Sequence, residues 1–263
     1  MSPTGVGVAA APPLSQSVPG GFESPEDVSG LWAWYDPSQE THSDGAQFSN
    51  TGPITLTDRS SNARGALDVQ ASGADFTFER DHFGAGLHAA RHNGSSSLAG
   101  FNLPDMSALT EGEVFVVYQL DNDPPPASPE AAKGAPIQSS ANVSLSEHAP
   151  YSDGIHYSTW GHDASRTTWT TDSVDLTVGS ILNIYTTAAG AHRYGIGGVW
   201  LGAEVTGVSV GFSTAPRLCR NDTAAPAQYA IDGHLGEVII YSQVLSDTDR
   251  AAVLDYLQTK WGV

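Results

Sequence analysis

The stretch from 151 to 171, YSDGIHYSTWGHDASRTTWTT, mixes ring and hydrogen-bonding side chains more densely than any other part of the chain. Tyr151, Tyr157, Trp160 and Trp169 stand there among Asp153, His156, His162, Asp163 and Arg166. Aromatic rings offer broad apolar faces, and Tyr and Trp add a polar tip. A sugar ring presents the complement: C–H faces that stack on aromatics and hydroxyls that need placed polar partners. The pattern points to carbohydrate binding by Tyr151, Asp153, His156, Tyr157, Trp160, His162, Arg166 and Trp169. Strand alternation puts Ile155 and Tyr157 on one face and His156 and Ser158 on the other, so the segment is at least partly exposed. The competing reading makes Trp160 and Trp169 core residues of two paired strands. Both readings stand at the level of sequence.

Other chemistry finds less support. Glycosidases need two carboxyl groups flanking one bond, and a strand with alternating acids would supply them. No strand-like run does so. Glu111 and Glu113 lie beside a turn-like stretch, as do Glu26 and Asp27, and read as solvated acidic loops. The run GVSVG, 207–211, matches the spacing of a nucleophile elbow around Ser209. That elbow needs a following helix, and FSTAPR carries no helical pattern. No catalytic residue is expected. Nine His residues are scattered, with His88 and His92 on one face of a strand and His156 close to His162. No metal site and no cofactor are expected from them. Asp58, Ser60 and Asn62 alternate as in a calcium loop but lack its terminal acid, and a turn held by Asx-type hydrogen bonds explains them. Calcium at Asp121 and Asp123 stays open.

The elements that position these residues are short. The chain has 263 residues, 28 Gly and 16 Pro, with 40% hydrophobic residues, enough for one β domain with many turns. A formal charge of −18 with only 11 Lys and Arg leaves no basic stripe for nucleic acid or for an anionic bilayer. One cysteine, Cys219, excludes an internal disulfide. No Lys or Arg precedes Arg59, so a signal peptide with a charged start is not expected, and no apolar run reaches membrane-spanning length.

Residues 1–28 open with MSPTGVGVAAAPPLSQSVPGG, too poor in large apolar residues to pack by itself. It reads either as a solvated tail or as a segment that folds on a partner and anchors it. From 29 onward, short runs rich in Val, Ile, Thr, Tyr and Trp alternate with turns. They include 31–36, 54–58, 66–69, 76–79, 86–92, 113–120, 143–146 and 155–160. The series continues through 167–171, 180–187, 193–195, 199–201, 208–212 and 236–242. Val174, Leu176 and Val178 alternate with polar neighbours, and Trp32 and Trp34 would share a face of the first strand. Residues 121–136, DNDPPPASPEAAKGAP, form an exposed loop. The series predicts an all-β fold, a two-sheet antiparallel jelly-roll sandwich over 29–263, with one short C-terminal α-helix. Ser246 is the N-cap, Asp247 and Asp249 suit the first turn, Leu254, Leu257 and Trp261 form one apolar stripe, and Gly262 stops the helix. Its Asp and Arg residues read as caps and solvated charges.

The ending GEVIIYSQVLSDTDRAAVLDYLQTKWG resembles the last strand and closing helix of laminin-G-like, concanavalin A-like jelly rolls found in bacterial and phage proteins. WYDPS (34–38) is similar to their opening strand, and LTDRSSNARGA (56–66) to their hairpin turn, with Ser61 where Gly is usual. LHAARHNGSSSLAG (87–100) is similar to a further segment, with His92 in place of Phe, and GEVFVVYQL follows as the core strand. The resemblance implies the sandwich fold and a last strand that pairs near the first. It also implies a structural and adhesive subunit of a phage or phage-like particle: a spike, fibre or decoration protein. Such a subunit would be assembled in the bacterial cytoplasm and located in the virion, and would be homo-oligomeric. It would be held to other virion subunits by residues 1–28 and would bind host-surface polysaccharide. The alternative is a stand-alone bacterial lectin or glycan-processing enzyme on the same fold.

Overall fold

A strand that is apolar on both sides needs cover on both sides. The runs EVFVVYQL and GEVIIY are of this kind, and they become the two central strands of the largest sheet. A computed structural model describes residues 22–48, 55–70, 76–84, 86–93, 100–122, 135–140, 147–152, 154–171, 174–219 and 231–263. Residues 1–21, most of the 121–136 loop, the expected strand at 143–146, and Asp123 and Asp153 lie outside the described residues.

In chain order the strands are β1 (Leu31–Tyr35), β2 (Asp68–Gln70), β3 (Phe76–Glu79), β4 (Ala89–Asn93), β5 (Gly100–Asn102) and β6 (Gly112–Leu120). There follow β7 (Ile137–Ser140), β8 (His148–Ser152), β9 (Ile155–Ser158), β10 (Thr167–Thr170) and β11 (Ser180–Thr186). The last are β12 (His192–Ile196), β13 (Val199–Trp200), β14 (Phe212–Leu218) and β15 (Asp232–Tyr241), before helix α1 (Asp247–Trp261). The large sheet runs β13-β12-β11-β6-β15-β4-β3, and β1 also pairs with β15. The C-terminal half of β15 takes β1, with Tyr35 opposite Val238. Its N-terminal half takes β4, with His234 opposite Arg91. Two smaller sheets, β2-β5-β14-β7 and β10-β9-β8, complete the set, and their pairs are antiparallel too.

Two cores follow from the alternation along β6 and β15. Val114, Val116 and Tyr118 face one way, with Val238 and Ile240, into a core that includes Phe101 and Leu218 from one small sheet and Trp169 from the other. Phe115, Val117, Ile239 and Tyr241 face the other way, against Val253, Leu257 and Trp261 of α1. The antiparallel sandwich with a closing helix is therefore as expected, and the opening and closing strands pair. The helix starts at Ser246, whose hydroxyl accepts from the Asp249 amide, and ends at Gly262 in the left-handed region at φ +68°. Asp58 ties the hairpin turn as anticipated: its carboxylate accepts from the Trp34, Ser60 and Arg64 amides. Gly233 has no room for a side chain, because a Cβ there would sit 2.1 Å from the Gln119 carbonyl oxygen on the neighbouring strand.

Several expectations change. A register shift between Leu31 and Ala33 separates the two tryptophans. Trp32 joins the sandwich core, while Trp34 joins the helix side. Residues 176–178 form a single 3-10 turn, so Leu176 is buried and Val178 is exposed instead of sharing a face. Residues 55–57 are not a strand, and the strand expected at 208–212 instead begins at Phe212 and runs on to Leu218. The short strands β5, β7 and β8 carry too little patterning to be seen in advance.

The largest correction concerns charge. Glu113 is not a solvated loop acid and Arg250 is not a surface charge. Both are buried, with Arg250 Nε 2.6 Å and Nη2 3.0 Å from the two Glu113 oxygens. Asn183 Nδ2 and the Leu245 amide also donate to that carboxylate. A second buried acid, Glu237, accepts from Trp34 Nε1, the Tyr256 hydroxyl, Lys260 Nζ and Trp261 Nε1 at 2.6–2.9 Å. Removing one partner of a buried pair leaves a desolvated charge behind, which costs about 3–5 kcal/mol. Arg250→Met is therefore expected to lose that much unfolding free energy in urea titrations. The double variant Glu113→Gln/Arg250→Met should recover a large part of it, because it removes both charges. A double variant no more stable than Arg250→Met would contradict this reading.

Candidate functional site

The 151–171 segment becomes the three-stranded sheet β8-β9-β10 with its connecting turns. The register sets His148 and Thr168 opposite Tyr157, and His156 opposite Trp169. Alternation then sorts the side chains. Ile155 and Tyr157 point outward and are half-buried, while His156 and Ser158 are buried, the division that the sequence implies.

The outer face carries an aromatic cluster. The Tyr151 and Tyr157 rings lie 4.4 Å apart between centroids, tilted by 39°. The Arg166 guanidinium sits 3.9 Å from the Tyr157 centroid, a cation–π stack. The His148 ring meets both tyrosines edge-on, at 5.3 and 5.8 Å. Burial, and then the nearby Arg166 charge, push the His148 pKa down to about 3, so this ring is neutral at ordinary pH.

The inner face is built differently. Trp160 is fully buried and donates from Nε1 to the Gly112 carbonyl, tying this sheet to the central strand β6. Trp169 is 5% exposed, with its ring 6.4 Å from that of Tyr194. His162 is buried, with Nδ1 bonded to the Ser165 carbonyl, and its ring lies 4.3 Å from His192. Burial lowers the pKa of both histidines. His156 is buried against Tyr194. Of the eight residues that composition brings together, the fold thus presents Tyr151, Tyr157 and Arg166 outward. It uses His156, Trp160, His162 and Trp169 as interior, and Asp153 is outside the described residues. His148, just outside the expected set and buried, meets both tyrosines from below. Its place could be read only once β8 was known to pair with β9.

Glu147, immediately before β8, is completely buried. Its Oε2 accepts from the Thr159 amide and hydroxyl, at 2.5 and 2.8 Å, and so closes the loop between β9 and Trp160. Desolvation outweighs these bonds and the one to Ser158, raising its pKa to about 8. Neither Glu113 nor Ser209 stands ready for catalysis. Glu113 is occupied by Arg250, and exposed Ser209 precedes a strand, with no helix behind it.

No family model matches this chain, and no curated protein matches it. Solved structures do. Domain 4 of AbnA, a GH43 extracellular arabinanase from Geobacillus stearothermophilus in complex with arabinotriose, superposes with a TM-score of 0.54 at 17% identity, over 85% of this chain and 97% of that one. The binding domain of Paraclostridial Mosquitocidal Protein 1 gives 0.55 at 10% identity, over 89% of this chain. The Trypanosoma rangeli sialidase in complex with sialic acid gives 0.53 at 12% identity, also over 89%. The chain has the β-sandwich fold of these domains. It spans about half of the toxin binding domain (53%) and a third of the sialidase chain (33%). At these identities the likeness concerns the fold.

The Glu147 environment makes a pH prediction. Its folded pKa lies above its unfolded one, so the folded chain holds an extra proton between about pH 4.5 and about pH 8. Stability from this group therefore falls as pH rises through that window. Glu147→Gln removes the titration and keeps an acceptor oxygen for Thr159. The melting temperature of the variant minus that of the wild type should rise across the window and level off above it. A difference that is flat with pH would show that Glu147 does not titrate there.

Proposed function

We propose that this chain is a glycan-binding β-sandwich module, with the outer face of β8-β9-β10 as its binding surface. The observation that carries the reading is the outward cluster of Tyr151, Tyr157 and Arg166. A tyrosine pair supplies an apolar platform with hydroxyl tips, and Arg166 supplies a fork of N–H donors beside it. A pyranose or furanose needs both kinds of contact. The buried layer below, with Trp160 bonded to the Gly112 carbonyl, holds the platform rigid, which lowers the ordering cost of binding. Support also comes from the arabinanase domain of like fold solved with arabinotriose, and from the like-folded binding domain of the mosquitocidal protein.

The finer reading sets this module in a phage or phage-like particle, as a homo-oligomeric spike, fibre or decoration subunit facing host polysaccharide. It rests on the resemblance of the closing strand and helix and on the composition of the N-terminal segment. Residues 22–28 already pack on the sandwich: Phe22 meets Tyr256, the Tyr241 hydroxyl donates to the Pro25 carbonyl, and Val28 is buried. The anchor role therefore falls to residues 1–21.

Two experiments test these readings. On a glycan array, the wild-type chain should bind a restricted set of glycans. Tyr157→Ala and Arg166→Ala should each weaken the strongest hit at least about tenfold, or ~1.4 kcal/mol, with unchanged melting temperature. Undiminished binding in both variants would remove the site from this face, and release of reducing sugar from the bound glycans would favour the enzyme alternative. For the particle reading, a chain lacking residues 1–21 should fold and bind glycan but fail to enter particles. Normal incorporation would discard the anchor.

A further inference from the structure

A separate cluster lies at the other side of the molecule's large sheet. Glu79 ends β3, His82 stands in the turn after it, and His234 is on β15. Register brings them together: His234 lies opposite Arg91 of β4 on one side and Gln119 of β6 on the other. One ligand atom from each of Glu79, His82 and His234 falls within 4.8 Å of the other two. His82 and His234 are largely buried, while the Glu79 side chain is 40% exposed and open to solvent.

The hydrogen bonds assign the ring nitrogens. Gln119 Nε2 donates to the Thr177 carbonyl, so its Oε1 is turned toward His82 Nε2 at 3.0 Å and must accept a proton from it. The neutral His82 ring then carries its lone pair on Nδ1, which faces Glu79 Oε1 at 3.4 Å. A lone pair against a carboxylate oxygen is repulsive unless a cation stands between them. His234 has the same difficulty. Its Nε2 is 2.7 Å from Glu79 Oε2, while its Nδ1 makes no hydrogen bond and lies 3.3 Å from Asp121 Oδ1, so a proton on Nε2 leaves a bare nitrogen lone pair facing a second carboxylate. Charging both rings is costly, because they stack at 3.4 Å between centroids, 10° from parallel. The surrounding charge is negative: Arg91 pairs with Asp121 and Asp232, while the ion-pair contacts of Glu79 are with the two histidines.

We propose that Glu79, His82 and His234 form a binding site for a divalent transition-metal ion of the zinc type. His82 Nδ1, His234 Nε2 and the Glu79 carboxylate are the ligands. Two imidazoles and one carboxylate suit this metal class and leave a fourth position for water. The other nitrogen of each ring then has a defined acceptor. His82 Nε2–H donates to Gln119, and a proton on His234 Nδ1 faces the Asp121 carboxylate at 3.3 Å, an outer layer of the kind that fixes ligand tautomers in metal sites. With ligand bonds of 2.0–2.2 Å the donors must draw to ~3.3 Å from one another. Stacked rings cannot aim both lone pairs at one ion. Loading therefore swings His82 out of the stack, and its place in a turn beside exposed Asp81 and Gly84 allows that. Buried His234 stays fixed on the sheet.

The full chain, stripped with chelator, is titrated with Zn²⁺ by calorimetry and with Co²⁺ by visible absorption. The expected result is one ion per chain with micromolar or tighter affinity and the strong visible bands of a low-coordinate cobalt site. Gln119→Ala should weaken Zn²⁺ binding roughly 10–100-fold, and His82→Ala and Glu79→Gln should weaken it more. Glu79 is solvent-accessible and His82 stands in a turn, so retained circular dichroism and melting temperature in both variants separate loss of the site from loss of the fold. No Zn²⁺ binding to the wild type, or wild-type affinity in both His82→Ala and Glu79→Gln, would overturn the assignment.

Discussion

The large sheet is covered on both faces, and that constraint governs much of the rest. One face meets the two small sheets through Val114, Val116, Tyr118, Val238 and Ile240, and the other meets α1 through Phe115, Val117, Ile239 and Tyr241. A carboxylate on the part of the sheet that α1 covers is removed from water. Glu113 and Glu237 are in that position, both at 0% exposure. Burial raises the Glu237 pKa, and the charge of Lys260 works against that rise. Each acid is kept tolerable only by a full set of donors, and the decisive ones come from the helix, Arg250 and Lys260. Lys260 also reaches Asp36, just after the first strand, at 2.5 Å. The closing helix therefore does more than cover apolar surface. It neutralises two acids in the sheet and binds chain start to chain end. Buried pairs of this kind add little net stability but penalise any misplaced helix heavily.

With one face given to the helix, the two small sheets form the layer on the opposite face. The β8-β9-β10 sheet is anchored by its inner side chains to the central strand and to Tyr194. Within the strands the division follows the twofold alternation, which turns His156 and Trp169 inward and Tyr157 outward, while Trp160, His162 and Arg166 stand in the turn between β9 and β10.

Much of the fold was legible in the sequence because its signals are local. The cap at Ser246, the stop at Gly262 and the apolar runs of β6 and β15 each declare themselves within a few residues. The ionic contacts were not legible, because Glu113 and its partner Arg250 are 137 positions apart. A Glu next to turn residues looks solvated until the helix is placed over it. The face assignment of Trp32 and Trp34 failed for a different reason. A one-residue irregularity in the pairing with β15 reverses alternation, and nothing in LWAWY marks it. In the 151–171 segment the alternation around Tyr157 could be read. The burial of Trp160 and Trp169 depends instead on where strands β6 and β12 lie. The Glu79–His82–His234 cluster was invisible for the same reason, since His234 is 155 positions from Glu79.

The central claim is that glycan meets the outer face of the three-stranded sheet. It is tested most directly by mapping backbone amide shifts while the isotope-labelled chain is titrated with the glycan it binds. The account predicts that the largest shifts fall between residues 147 and 171, led by the amides around Tyr151, Tyr157 and Arg166. Shifts concentrated on α1, or spread evenly over the large sheet with that segment silent, would contradict it.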